Sequence, residues 1–144
     1  MSERKRFNKL LEHRNREVQL RAKDFAESVR AADRARLNLL QGQRKLQEAS
    51  SARDDIWGSG SPAQILEEVD AWVMSRRRCA EQQFSDLQAA EAEREQQRAR
   101  LVAARLNAKK VERLIERSAL RERQQENRRE RRFEDEMAAR AVRS

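Results

Sequence analysis

Apolar side chains recur every seven residues along most of this chain. In the first part the series is Leu11, Val18, Phe25, Ala32, Leu39 and Leu46. A weaker series, Asn8, Asn15, Ala22, Val29, Arg36 and Gln43, runs three residues ahead of it. On that spacing the strong series takes the d positions of a heptad and the weak one the a positions. In the second part Leu66, Val73, Ala80, Leu87, Arg94, Leu101, Ala108 and Ile115 form the strong series. Val69, Arg76, Gln83, Ala90, Gln97, Ala104 and Val111 follow it by three, so here the strong series is a and the weak one d. A strict seven-residue repeat predicts helices that supercoil left-handedly.

Turn signals concentrate at Trp57-Gly58-Ser59-Gly60-Ser61-Pro62. Gly58 suits the left-handed position that ends a helix. Ser61 suits an N-cap, with Pro62 at the first helical position and Gln64 completing a capping box. Elsewhere only Gly42 interrupts the helical pattern, and a lone helical glycine costs about 1 kcal/mol. The expected architecture is all-α: two long helices, about 4–57 and 62–141, form an antiparallel coiled-coil hairpin around a tip at 58–61. At 1.5 Å per residue the helices would span roughly 80 and 120 Å, the second longer than the first.

A fold-back midway between Ser59 and Gly60 sets Leu46 opposite Val73, Leu39 opposite Ala80 and Ala32 opposite Leu87. It also sets Val29 opposite Ala90, Val18 opposite Leu101 and Leu11 opposite Ala108. Less favourable pairs are Phe25 with Arg94, Arg36 with Gln83 and Asn15 with Ala104. Long arginine stems can snorkel out of such a seam, and polar positions can specify register. On this register the first helix runs out opposite Ile115, leaving about 116–144 as an unpaired overhang. Residues 121–132 hold no apolar side chain, after which Phe133, Met137 and Ala141 recur at four-residue spacing. The stretch reads either as a solvated tail or as a helix that inserts into a partner.

Composition narrows the fold further. Ala, Glu, Lys, Leu and Arg supply 85 of the 144 residues, and Leu, Ile, Val and Phe only 27. Three glycines and one proline leave little material for a sandwich or a Rossmann domain. The net charge is +8, from 33 basic and 25 acidic residues interspersed along the chain. Such mixing suits solvated helices and permits acidic proteins or nucleic acid as partners. Cys79 has no second cysteine to pair with, which favours a reducing cytosol. No apolar run reaches the roughly 18 residues of a membrane span, and no apolar segment follows the basic start, so neither a span nor a signal peptide is expected.

Catalytic chemistry finds no footing. His13 is the one histidine, Cys79 lacks a companion, and Gly42, Gly58 and Gly60 fit no phosphate-binding loop. No enzyme activity, cofactor or metal is expected. A nucleic-acid reading meets two objections: the basic stretch follows the heptads rather than preceding them, and Glu122, Glu126 and Glu130 would repel phosphate. What the residues leave standing is a coiled-coil interaction protein, whether a generic scaffold or something more specialised.

Three stretches carry a resemblance. Lys109-Lys110-Val111-Glu112-Arg113-Leu114-Ile115-Glu116-Arg117 is similar to a K-x-x-E-x-L-x-E-R stretch of the FliJ family of type III export proteins, flagellar proteins with injectisome counterparts. The segment Arg128-Arg129-Glu130-Arg131-Arg132-Phe133-Glu134-Asp135-Glu136-Met137-Ala138 is similar to that family's R-R-E-Q-K-x-L-D-E-I-A stretch. Ile65, Val69, Trp72 and Val73 resemble the apolar positions that open its second helix. The resemblance implies a non-enzymatic central stalk that inserts its paired termini into the hexameric export ATPase. It also implies contact with the cytoplasmic domain of the export gate and escort of substrate chaperones, by a monomer in the cytoplasm at the inner-membrane export apparatus. By position it points to Trp72, Val73 and Cys79 for the gate, with Arg76 standing where the family has an apolar residue. It points to Leu114, Arg117, Arg121, Arg128, Arg129, Phe133 and Met137 for the ATPase ring. For Trp72 the alternative is plain packing at the tip against Ile56 or Trp57.

Overall fold

The computed structural model describes residues 2–143. It contains two helices, α1 (Glu3–Gly58) and α2 (Ala63–Arg143), and no strand among the described residues. Ser2 caps α1: its carbonyl accepts from the amides of Lys5 (3.1 Å) and Arg6 (3.3 Å), and its hydroxyl oxygen from Lys5 (3.4 Å). Glu3 in the first turn of α1, and Arg140 and Arg143 in the last turn of α2, complement the helix dipoles. The fold is all-α, two helices packed antiparallel, the second longer. Contacts divide it into one unit of residues 22–100 and another of residues 2–21 with 101–143.

In the first of these units the chain folds back on itself, and the turn differs from the sequence expectation. Gly58 stays helical, and Gly60 takes the left-handed backbone (φ 73°). Pro62, not Ser61, caps α2, its carbonyl accepting from Ile65 (3.0 Å) and Leu66 (3.2 Å). The Ser59 hydroxyl donates to the Ile56 carbonyl (2.7 Å), which leaves Ser61 to donate to Ser59 Oγ (2.8 Å). A serine chain thus closes the end of α1, where a capping box on α2 was expected.

Burial follows the heptads with one correction. On α2 both expected series turn inward, and Val73, Ala80, Leu101, Ala104, Ala108 and Val111 are buried. On α1 the strong series is also inward, but its companion is not the one three residues ahead. Asn8, Asn15, Arg36 and Gln43 are exposed. The companion series lies four ahead and includes Ser28, Ala35, Gly42 and Ala49, of which Ser28, Gly42 and Ala49 are buried. The strong series of α1 is therefore a, not d. Both steps occur in a heptad, and small side chains carry too little hydrophobicity to reveal which one applies.

The register also shifts. Gly42 packs against Gln83, six residues beyond the Arg77 that the expected fold-back would supply. Arg36 leaves the seam and reaches Glu91 (3.2 Å) rather than Gln83, and Arg53 reaches Asp70 (2.7 Å) rather than Leu66. The displacement is four residues at Arg53, six at Gly42 and eight at Arg36. The turn at 59–62 sits about one residue later than expected, which moves every pairing by about two, and side chains lean toward their own helix N-terminus, away from the turn on α1 and toward it on α2, which acts in the same direction.

Candidate functional site

Around the tip, three side chains from two helices converge. Arg53 and Trp57 lie one turn apart on α1, so both face the same flank. Asp70 Oδ1 accepts from Arg53 Nε (2.7 Å) and from the Trp57 indole nitrogen (3.1 Å). The Arg53 guanidinium also lies over the Trp57 ring, 5.3 Å from its centroid. The hydrogen bond from Arg53, aided by that from Trp57, holds the Asp70 carboxyl below its usual range against a smaller opposing effect of burial. The cluster went unnoticed in the sequence, although Arg53 and Trp57 at four-residue spacing, with an aspartate early in the next helix, were its visible signal.

The residues assigned by resemblance to the gate separate into two groups. Val73 is buried in the seam (6% exposed), while Trp72 is 42% exposed and Cys79 is exposed as a free thiol. Ile65, Trp72 and Cys79 recur at seven-residue spacing on the flank of α2 beside the seam, and Ile65 is exposed too. Val73 thus supports this stripe from beneath and presents no surface of its own. Trp72 is open to solvent, and the tryptophan engaged at the tip is Trp57. Arg76, half-buried, runs its stem into the seam, and its Nε is buried without a hydrogen-bond partner.

The residues assigned to the ATPase ring all lie in the other unit, and all are exposed. Leu114 (41%), Phe133 (63%) and Met137 (50%) are open apolar side chains. Arg117, Arg121, Arg128 and Arg129 are exposed and form no ion pair among the described residues. They occupy two stripes. Leu114, Arg121 and Arg128 recur every seven residues with Arg117 beside them. Arg129, Phe133 and Met137 recur every four, and Phe133 lies about a third of a turn round the helix from the first stripe.

Why this part of α2 stays open is written at the seam positions. The inward series of Leu101, Ala104, Ala108, Val111, Ile115 and Ser118 continues as Glu122, Gln125, Arg129, Arg132 and Glu136. Every residue from Leu120 to Arg143 is exposed. The start of α1 touches this stretch through Arg4, whose guanidinium lies 4.0 Å from Glu122. Both partners are at least half exposed, so the pair is worth little.

Among the described residues no cluster of three His, Cys, Asp or Glu side chains is placed to hold a metal ion. No helix is long and apolar enough to cross a membrane. What two helices with one narrow seam present is therefore surface: an apolar stripe near the tip and an arginine-rich open helix at the far end of the sequence.

No curated protein and no solved structure matches the chain. The family model described as "Flagellar FliJ protein" matches residues 3–144, nearly its whole length. The chain belongs to the FliJ family, and with it to the components of the flagellar protein export apparatus.

Proposed function

We propose that this chain is a non-enzymatic stalk of the export apparatus that inserts into the hexameric export ATPase, couples it to the export gate and escorts substrate chaperones. The observation that carries the reading is the open stretch of α2 from Leu120 to Arg143. Beyond the exposed Arg4–Glu122 contact it meets no other helix among the described residues, and it exposes Phe133 and Met137 beside arginines that form no ion pair there. The start of α1 lies within the same unit, so both ends of the sequence are available to one binding partner. A stalk inside a ring needs a narrow cross-section and weak, changing contacts with its walls. Two helices without a globular core supply the first. Arginine forks facing carboxylates of the ring supply the second, because exposed ion pairs form and break at little cost.

Trp72 and Cys79, on the exposed stripe with Ile65, are the proposed gate contact. The chain acts as a cytoplasmic monomer that reaches the membrane through its partners.

The test is enzymatic and hydrodynamic. Titrating the chain into its cognate export ATPase should raise the hydrolysis rate, and sedimentation should give a monomer. A stable dimer that leaves the ATPase unaffected would instead favour a coiled-coil scaffold with no stalk role.

A further inference from the structure

Within the unit of residues 22–100 the seam is unevenly closed. On α2 Val73 and Ala80 are buried, but no residue from Glu81 to Arg100 is. The inward positions of that stretch, Gln83, Leu87, Ala90, Arg94 and Gln97, are all half-buried, and three of them are polar. In the other unit the same two series resume with Leu101, Ala104, Ala108 and Val111, all buried. Nearly three heptads of α2 thus pass without one fully covered side chain. On the facing stretch of α1 the inward residues apart from Leu39 are short: Ser28, Ala32, Ala35 and Gly42. Ala32 is 0% exposed, yet the register that sets Gly42 against Gln83 places it between Ala90 and Gln97, beside Arg94. By position its cover comes from a methyl group and the stems of polar side chains, with no large facing hydrophobe.

The polar groups in this stretch are poorly served. Gln83 Oε1 and Gln97 Oε1 are buried without a hydrogen-bond partner among the described residues, although the Gln97 amide nitrogen donates to Glu93 Oε1 (2.8 Å). Ser28 turns its hydroxyl back to the Phe25 carbonyl (2.6 Å), so it offers that proton to its own helix. A cavity of about 50 Å³ lies beside Gly42, between Arg76, Cys79 and Gln83. The Arg36–Glu91 ion pair bridges the helices here at 3.2 Å, but both side chains are 48% exposed and the bond holds them weakly. Parting the helices would return the two amide oxygens to water and relieve the cost of leaving them unmet.

We infer that residues 28–42 of α1 and 83–97 of α2 form an opening segment, whose helices part and rejoin locally while the seam on either side stays closed. Segments with few buried apolar contacts open below global unfolding, and this one has the fewest along the paired helices. Bending and twisting of the pair concentrate where the seam is loosest. The inference holds whether or not the chain acts as a stalk.

The test places a thiol at one covered seam position at a time, in the full chain carrying Cys79→Ser. Ala32→Cys lies in the segment, and Ala49→Cys and Ala104→Cys lie outside it; the three alanines are 0%, 0% and 3% exposed. Labelling with a thiol reagent under native conditions then reports opening, with global unfolding setting the slowest rate. The Ala32→Cys thiol should react about tenfold faster or more than the other two, although static cover ranks it with them. Adding Gln83→Leu, Arg94→Leu and Gln97→Leu should close the segment and bring its rate within about threefold of theirs. In the unmodified chain, hydrogen exchange should be faster in 83–97 than in 66–80 or 101–118, a readout free of any disturbance by an added thiol. Equal labelling at the three sites would overturn the inference. So would fast labelling at position 32 that the leucines leave unchanged, or uniform exchange across the three stretches of α2.

Discussion

Residues 101–118 and 120–143 are successive stretches of one helix; arginine and glutamate make up five of the 18 residues of the first and 13 of the 24 of the second. The first buries Leu101, Ala104, Ala108, Val111 and Ser118, with Ile115 half-buried between the last two, at alternating three- and four-residue steps. The second buries nothing, and its large apolar residues, Leu120, Phe133, Met137 and Val142, are at least half exposed. Helix propensity does not separate them, since both are helical. What changes is the residue met at each inward step, apolar or small before Ser118 and charged or amide-bearing from Glu122 to Glu136. A longer α1 would find no seam to follow there. Pairing is thus encoded position by position, while helicity is encoded by composition.

The largest effect should come from bringing the character of one stretch into the other. Val111→Asp places a carboxylate in the seam without a partner and should destabilise the fold by about 3 kcal/mol or more. Phe133→Asp makes the same chemical change in the open stretch and should alter stability by less than about 0.5 kcal/mol. Urea denaturation followed by circular dichroism compares the two directly. Equal losses would contradict the contrast.

The converse substitution tests whether the seam positions alone decide pairing. Glu122→Leu, Gln125→Leu, Arg129→Leu and Arg132→Leu together extend the inward series by two heptads. The monomer expected of the unmodified chain should then associate through this stretch, with a sedimentation mass of about twice the chain at micromolar concentration. A chain that stays monomeric after all four changes would mean that something other than these positions keeps the stretch open.

A smaller effect concerns seam quality near the tip. A Cβ added at Gly42 would meet the end of the Gln83 side chain, whose Oε1 is buried without a partner. Gln83 can swing toward solvent and regain hydrogen bonds there. Gly42→Ala should therefore stabilise the fold by about 0.5–1 kcal/mol through helix propensity, measured by thermal melting. A net loss would show that Gln83 is held in place.

The smallest effect is at the tip. The Arg53 hydrogen bond lowers the folded-state pKa of Asp70. Its contribution is complete above the ordinary carboxylate range and is lost as pH falls through that lowered value. The Trp57 indole N–H resonance should shift over this acid window and should be insensitive to it in Asp70→Asn.

Much of this was legible in sequence. The two helices and the strong inward series of α2 follow from apolar residues repeating every seven, the weaker inward series of α2 from its three-residue offset, and the turn region from its glycines, serines and proline. The companion series of α1 was hidden because Ser28, Ala35, Gly42 and Ala49 read as neutral or disruptive, although a narrow seam needs small residues. Gly42 looked like an interruption and is a buried contact. The register was displaced because a fold-back drawn from residue numbers omits the lean of side chains along each helix. Val73, adjacent in sequence to Trp72, was grouped with it, yet one residue is 100° of helix and separates seam from surface.

The central claim is that the open stretch of α2 is the part that engages the export ATPase, while the paired helices are a self-sufficient support. A chain ending at Glu122 tests both halves at once. It should melt within a few degrees of the full chain, since the removed residues bury nothing, and it should no longer raise the hydrolysis rate of the cognate ATPase. Undiminished stimulation by that shortened chain, folded and stable, would contradict the account.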